Sequence, residues 1–88
     1  MALHVELLSN IKKVYTGLST KIVLPTEKGI IEVLPHHTPF VVNLAPGTII
    51  VHGEDKKPVK VPSIRGVAYK NEENVTILIE ETLSNKLK

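Results

Sequence analysis

The amino-acid sequence predicts an all-β domain, a flattened β-sandwich or barrel of about ten short antiparallel strands in two sheets. Valine and isoleucine together number 20 of the 88 residues, and β-branched side chains favour strands. They come in runs of four to seven residues, which are too short for a confident helix and lack its periodicity. Turn-forming residues separate the runs at regular intervals, as in sandwiches and barrels.

The individual strands follow from these runs. The outermost runs, 3–7 and 74–80, alternate apolar and polar residues in the manner of half-buried strands. Six further runs lie between them, at 18–24, 30–34, 40–44, 48–52, 58–61 and 66–70. Gly, Pro, Asn, Asp and Ser in the separators predict turns at 9–10, 16–17, 25–29, 35–39, 45–47, 53–57 and 71–74. We expect one domain over residues 1–82 and a short polar tail at 83–88.

The composition excludes several classes of protein. The formal net charge is +2, Arg65 is the one arginine among eleven basic residues, and three residues are aromatic. Neither the charge nor the stacking surface of a nucleic-acid-binding domain is therefore present. The absence of cysteine excludes disulfides, thiol chemistry and cysteine-ligated zinc. No apolar run approaches the roughly 20 residues of a membrane-spanning helix, so we expect membrane contact only through a partner.

The sequence offers no combination of residues typical of a catalytic or metal site. Its single aspartate, Asp55, lies in a charged turn, and no nucleophile, phosphate-binding or metalloprotease motif occurs. His36 and His37 are adjacent, and neighbouring side chains of an extended chain point to opposite faces, so the pair is a poor chelator. We expect no catalytic residue, no bound metal and no cofactor.

Besides an enzyme of unknown type, for which the sequence offers no motif, two alternative functions stay open on the residues alone. The turn 53–57 presents Asp55 and Lys56, as the attachment turn of a lipoyl or biotinyl carrier domain does, and Lys56 is then the candidate for modification. Against a carrier, Lys57 and Pro58 follow where such a turn prefers a small or apolar residue. The other alternative is a free-standing interaction module with an unrelated partner, since a shaped loop on a rigid scaffold suits recognition.

The segment 29–47 carries the most specific pattern. An apolar strand enters the loop LPHHTPFV at 34–41, and a second strand leaves through LAPG at 44–47. This pattern resembles the signature of the epsilon subunit of F-type ATP synthases, where a Gly-rich strand enters Leu-Pro-Gly-His-Ala-Pro-Leu-Leu and the next leaves through Leu-x-Pro-Gly. The opening strand, the element KKVYTG at 12–17 and the last strand NVTIL at 74–78 resemble the same family in order and spacing. The resemblance covers residues 3–82.

The sequence departs from this family pattern at several positions. His36 stands where the family usually has Gly, which predicts a changed loop backbone. Ile30 replaces a common acidic residue, Glu32 replaces a common Gly, and Arg65 is a bulky charge in a Ser-Gly-Gly stretch. The family's carboxyl-terminal helical hairpin has no counterpart in these 88 residues, so we expect neither inhibition nor ATP binding by those helices.

The resemblance implies a non-catalytic rotor subunit of a proton-translocating ATP synthase, peripheral on the cytoplasmic face of the cell's inner membrane. Its sandwich is expected to connect the gamma subunit with the c-ring and to couple proton flow to ATP synthesis. The expected c-ring contacts are Thr26, Glu27, Lys28, Gly29, Ile30 and His37. The expected gamma contacts are Ser9, Asn10, Val41, Val42 and Asn43.

Overall fold

The computed structural model describes residues 2–36, 38–53 and 57–80. These ranges contain nine strands, and the predicted all-β class is confirmed. The strands are β1 (Leu3–Ser9), β2 (Lys13–Ser19), β3 (Lys21–Thr26), β4 (Gly29–Val33), β5 (Phe40–Leu44), β6 (Gly47–His52), β7 (Val59–Ser63), β8 (Arg65–Asn71) and β9 (Asn74–Glu80). Within the described ranges, no helix has the length and apolar character needed to cross a membrane. The predicted domain end at 82 and the tail at 83–88 lie outside the described residues.

Hydrogen bonding connects the nine strands into one curled sheet with two halves, which we call the first sheet and the second sheet. The first sheet has the strand order β2-β1-β9-β8-β5, and the second sheet has the order β4-β3-β6-β7. The halves meet at a joint where Thr26 of β3 pairs with Leu44 of β5. The Ala45 N–H donates to the Pro25 carbonyl at 2.9 Å beside this joint. The two halves of the curled sheet thus act as the two layers of the predicted sandwich.

The strand pairs are antiparallel, as predicted, with the exception of β1 and β9. These two strands run parallel, from His4 opposite Asn74 to Ser9 opposite Ile79. Parallel neighbours cannot be joined by a tight turn and need a long connection. Here that connection is the rest of the domain, because β1 and β9 are the first and last strands described.

The core is one hydrophobic cluster to which both sheets contribute. β1 and β9 alternate buried and exposed positions, so each half-buried strand directs every second side chain inward. Burying such a side chain stabilises the fold by about 1.5–3 kcal/mol relative to exposure. The largest fully buried side chains are those of Leu3, Leu7, Ile22, Leu24, Ile49 and Ile77.

Two local predictions are wrong in the region of β2. Residues 16–17, predicted as a turn, lie inside the strand, where Gly17 pairs with Val5. A Cβ on Gly17 would lie 3.3 Å from the Tyr15 hydroxyl, which donates to the Leu18 carbonyl at 3.0 Å. Gly17 therefore makes room for a side chain and does not reverse the chain. The predicted single run 18–24 is divided at Thr20, between the end of β2 and the start of β3.

Candidate functional site

The β3–β4 turn, which carries most of the predicted c-ring contacts, is short and internally bonded. Thr26 pairs with Gly29, so the turn consists of Glu27 and Lys28, both exposed. The buried Thr26 side chain donates through Oγ1 to the Gly29 carbonyl at 2.5 Å and accepts from the Lys28 N–H at 3.2 Å. Gly29 has φ 119°, a conformation that suits glycine. The turn therefore presents one acidic and one basic side chain from a fixed backbone.

The remaining predicted c-ring residues are Ile30 and His37. Ile30 is 76% exposed and lies next to the turn, opposite Pro25 of β3. His37 lies outside the described residues. The described part of the chain therefore brings the predicted contacts at 26–30 together around the turn.

His36 keeps a backbone conformation that favours glycine. Its φ is 74°, in the left-handed region that few non-glycine residues adopt. The His36 N–H lies 3.3 Å from each carboxylate oxygen of Glu73, and its Nδ1 lies 3.6 Å from Oε2 of the same carboxylate. The expectation that His36 changes the loop backbone relative to the family stays a prediction. Contact with Glu73 connects this loop to the β8–β9 turn.

Ser9 of the predicted gamma contacts and Thr26 of the predicted c-ring contacts lie at the same end of the curled sheet. A row of paired residues crosses five strands there, in the order Ser9, Ile79, Gly66, Leu44 and Thr26. With strands about 4.8 Å apart, the row is about 19 Å long. The two predicted contact sets therefore each have a member at this end of the domain.

Ser9 and Asn10 differ in what their side chains can reach. Ser9 Oγ accepts from the N–H groups of Ile11 and Lys12, both at 3.0 Å, and also donates to the Lys12 carbonyl. The Ser9 side chain is thus engaged within the β1–β2 turn. Asn10 lies exposed in that turn. Both gamma candidates therefore lie at the surface of the β1–β2 turn, and Asn10 is the more exposed of the two.

The three consecutive gamma candidates on β5 face both sides of the sheet. Val41 lies opposite Tyr69, and Val42 lies opposite the fully buried Ala68. Val41 is 75% exposed, whereas Val42 packs against the hydrophobic core. Asn43 points outward with Val41. Val41 and Asn43 are therefore open to a partner on the outside, whereas the half-buried Val42 is reached only through the groove beside β5.

The sequence analysis missed most of the apolar surface around Val41. On the outer side of the first sheet, Leu8 lies opposite Leu78, Leu78 opposite Val67, and Tyr69 opposite Val41. We call these five residues the apolar face. Val41 is 75%, Tyr69 40% and Leu78 39% exposed. One sequence signal could have indicated it: 77–79 are three consecutive large apolar residues, so one of them must point away from the core.

Two shallow grooves border the apolar face and meet at Glu27 and Asn43. One groove, of about 250 Å³, runs between residues 26–28 and 41–43. The other, of about 370 Å³, continues along Leu44, 65–67 and 78–80. The grooves thus join the β3–β4 turn to the apolar face.

Arg65 and Gly66 line the second groove. The Arg65 Nε donates to Glu80 Oε1 at 2.6 Å on the surface, so the bulky side chain is accommodated by pointing outward. Gly66 lies so close to β9 that a Cβ would overlap the Leu78 carbonyl oxygen. The close approach of β8 to β9 therefore requires glycine at position 66.

The described residues offer little for catalysis or metal binding. Within the ranges 2–36, 38–53 and 57–80, no three His, Asp or Glu side chains come together as metal ligands. Lys56, the candidate for carrier modification, lies outside those ranges. The features that stand out are therefore surfaces suited to contact with other proteins.

Known proteins are similar to this chain in both sequence and fold. A model of the family described as ATP synthase, Delta/Epsilon chain, beta-sandwich domain matches residues 2–85. The ATP synthase epsilon chain of Neisseria meningitidis serogroup C is 36% identical over 80 residues, which are 89% of this chain and 56% of that relative. The epsilon chain of Maricaulis maris is 34% identical over 82 residues, 93% of this chain and 61% of that relative. The chain therefore spans little more than half the length of these relatives.

Solved structures give the same result for the fold. A chain in the Euglena gracilis mitochondrial ATP synthase, a structure of OSCP, F1 and c-ring, superposes with a TM-score of 0.82 at 25% identity. The superposition covers 89% of this chain and 50% of that one. A chain from the central stalk and c-ring of the Tetrahymena thermophila enzyme has a TM-score of 0.75 at 13% identity, with 92% and 65% covered. The latter likeness concerns the fold alone.

Proposed function

Because the chain belongs to the beta-sandwich family of ATP synthase delta and epsilon chains, we propose that it is a non-catalytic rotor domain in the central stalk of a proton-translocating F-type ATP synthase. It would connect the gamma subunit with the c-ring and so help to couple proton flow to ATP synthesis. The domain would sit at the cytoplasmic face of the inner membrane, held there by its partners. The match of the family over residues 2–85 is the observation that carries this proposal.

The apolar face is the surface best suited to the gamma subunit. An exposed, contiguous apolar patch on a small domain marks a contact with another protein. Val41 and Tyr69 supply the exposed β-branched and aromatic groups, and Asn43 and Asn10 extend the surface toward the same end of the sheet. A stable contact buries more than about 1,000 Å² in total, which requires most of this face.

The β3–β4 turn is the surface best suited to the c-ring. Glu27 and Lys28 are exposed on a two-residue turn whose backbone is fixed by Thr26. A rigid turn loses little conformational entropy when it docks, and paired opposite charges specify the orientation of a polar partner. Ile30 adds an apolar contact beside them. The exposed residues Glu27, Lys28 and Ile30 carry this part of the proposal.

Affinity isolation from native membranes tests the whole proposal. The tagged chain should bring down the gamma subunit in a one-to-one ratio. Val41→Asp should abolish this recovery because it places a charge in the middle of the apolar face. Leu18→Asp is the matched control, since Leu18 is 55% exposed on β2 at the distant edge of the same sheet. Recovery of the chain without gamma would contradict the stalk role.

A charge exchange tests the c-ring surface separately. The double variant Glu27→Lys with Lys28→Glu keeps the net charge and exchanges the two ends of the turn. We expect it to retain gamma but to lose most proton-driven ATP synthesis in membrane vesicles. The control is the double variant Lys21→Glu with Glu32→Lys, which exchanges the charges of two side chains that lie 3.8 Å apart. Unchanged synthesis in the Glu27/Lys28 variant would place the ring contact elsewhere.

A further inference from the structure

The outer side of the first sheet carries a shallow hollow beside the apolar face. The hollow has a volume of about 450 Å³, and Glu6 supplies the one carboxylate among its lining residues. Glu6 is exposed between two buried neighbours on β1, so its side chain points outward. It lies opposite Thr16 of β2 and Thr76 of β9, at a strand spacing of about 4.8 Å. One negative charge with a threonine on each side therefore faces outward here.

Glu6 has no ionic partner within residues 2–36, 38–53 and 57–80. The ion pairs in those ranges are Lys21–Glu32, His36–Glu73 and Arg65–Glu80. Lys13 lies opposite Leu8, two residues along β1, and it forms no ion pair with Glu6. The free chain therefore leaves this carboxylate available to a group from another molecule.

The hollow and the apolar face share a border on two strands. Glu6 precedes Leu8 by two residues on β1, so the two share a face of the sheet. Thr76 precedes Leu78 in the same way on β9, and it also lies opposite Tyr69 of the apolar face. A stable contact of more than about 1,000 Å² takes more residues from each side than the five of the apolar face. A partner that covers the apolar face is therefore expected to reach the hollow.

The row formed by Glu6, Thr76 and Tyr69 suits an arginine side chain. Two strand spacings, about 10 Å, separate Glu6 from Tyr69, and an arginine and a glutamate side chain can bridge this distance together. The arginine stem would lie along the exposed tyrosine ring, and its guanidinium would donate two parallel N–H bonds to the carboxylate. The Thr76 hydroxyl can accept a third. Because guanidinium is planar and stacks on aromatic rings, arginine fits this row better than lysine does.

A second copy of this chain is a poor source of such a group. Arg65 is the one arginine among the 88 residues, and its Nε donates to the Glu80 carboxylate at 2.6 Å. To reach Glu6 of another copy, the Arg65 side chain would have to give up this bond and leave Glu80 without it. An arginine at the hollow is therefore expected from a different protein.

We propose that Glu6 anchors an arginine of the partner that covers the apolar face. This inference rests on the proposed function, because that partner is then the gamma subunit, and it adds the chemistry of the contact. The gamma surface would offer apolar side chains to Val41 and Leu78 and one arginine beside them to Glu6. The arginine enters from the side of Tyr69, so Leu18 on the far side of β1 stays outside the contact. The apolar face supplies affinity, and the single charge fixes the orientation of the partner.

The test measures binding of the full 88-residue chain to the gamma subunit purified from the native enzyme. Glu6→Gln keeps the size of the side chain and removes its charge, so gamma should dissociate about tenfold faster or more. Glu6→Asp keeps the charge and should recover part of this loss. Glu32→Gln makes the same substitution at an exposed position of the second sheet and should bind like the original chain. Thermal unfolding should be similar for all variants, because these side chains are exposed.

Chemical modification of gamma identifies the bound group. Phenylglyoxal reacts with arginine side chains, and the original chain at saturation should protect one arginine of gamma from it. Glu6→Gln at saturation should leave that arginine reactive. Acetylation of gamma should reveal no lysine whose protection depends on Glu6.

The outcomes separate this inference from the stalk role. The inference alone is overturned if Glu6→Gln binds gamma like the original chain while Val41→Asp does not bind. It is also overturned if the group protected through Glu6 is a lysine, or if the free chain forms a dimer that Glu6→Gln dissociates. Failure of the original chain to bind gamma at all would contradict the stalk role and this inference with it.

Discussion

The exposed apolar side chains of the two sheets are distributed differently, although both sheets contribute to one core. On the first sheet, Val41 is 75% and Tyr69 40% exposed, and both belong to the apolar face. On the second sheet, Ile30 is 76% exposed beside the β3–β4 turn, whereas the exposed residues Glu32 and Lys60 are charged. A contiguous apolar surface costs free energy in water unless a partner covers it. The proposed gamma contact therefore lies on the outer face of the first sheet, and the proposed c-ring contact lies beside the turn of the second.

The largest expected effect is a loss of stability when the packing of the first sheet is disrupted. Gly66→Ala should lower the free energy of unfolding by about 2–4 kcal/mol, because a Cβ there overlaps the backbone of β9. Urea denaturation measures the loss. Gly47→Ala is the control in the second sheet, where the new Cβ would lie 2.8 Å from the Pro25 side chain. We expect a smaller loss there, and equal losses would mean that the two sheets tolerate crowding alike.

The next largest effect separates the two sides of β5. Val42→Asp should destabilise the domain by about 2–4 kcal/mol, since it brings a carboxylate to the edge of the core. Val41→Asp should change stability by less than about 0.5 kcal/mol because its side chain is on the outside. Thermal unfolding of the free chain distinguishes the two. If Val41→Asp were the more damaging variant, the register of β5 on β8 would be wrong.

The sequence predicts the strands better than it predicts their faces. The alternation in 3–7 and 74–80 located β1 and β9 because one side of each strand is buried. The same reasoning distinguishes Val41 from Val42, because Val41 shares a face with the polar Asn43 whereas Val42 shares one with Leu44, but the sequence analysis did not use it. The pairing of β1 with β9 was out of reach, because it joins the two ends of the described chain. Thr16 and Gly17 were wrongly predicted as a turn, because the sequence does not distinguish a glycine that makes space for a side chain from one that reverses the chain.

The sequence predicts the candidate contacts only in part. The turn at Glu27 and Lys28 was located from turn chemistry and the family pattern, and the structure confirms that both are exposed. The apolar face was missed, except for Val41, because its residues lie on four strands that only the strand pairing brings side by side. The left-handed backbone at His36 and its contact with Glu73 also lie beyond what the sequence shows.

A moderate effect is expected at His36, which ties the loop after β4 to the first sheet. His36→Val should cost about 1–3 kcal/mol, since a β-branched residue tolerates φ near 74° poorly. His36→Gly should stay within about 1 kcal/mol of the original protein because relief of strain offsets the lost contact with Glu73. Thermal unfolding compares the two variants. If valine were tolerated as well as glycine, the loop backbone would not be left-handed at this position.

The smallest effect belongs to the surface pair Arg65–Glu80 at the end of the first sheet. Both side chains are at least half exposed, so Arg65→Ala should lower the free energy of unfolding by less than about 1 kcal/mol. The difference should shrink further in 1 M salt, which screens exposed charges. Urea denaturation at two salt concentrations measures it. A large, salt-independent loss would indicate that the Arg65 stem packs against the sheet.

The most direct measurement compares the two sheets inside the assembled enzyme. The chain contains no cysteine, so Val41→Cys and Lys60→Cys each introduce a single thiol, one on each outer face. Maleimide labelling of the free chain should proceed at similar rates in both variants. In the assembled ATP synthase, we expect labelling at position 41 to slow by about tenfold or more, while labelling at position 60 should be unchanged. Equal labelling of the two positions in the assembly, or protection at position 60 alone, would contradict it.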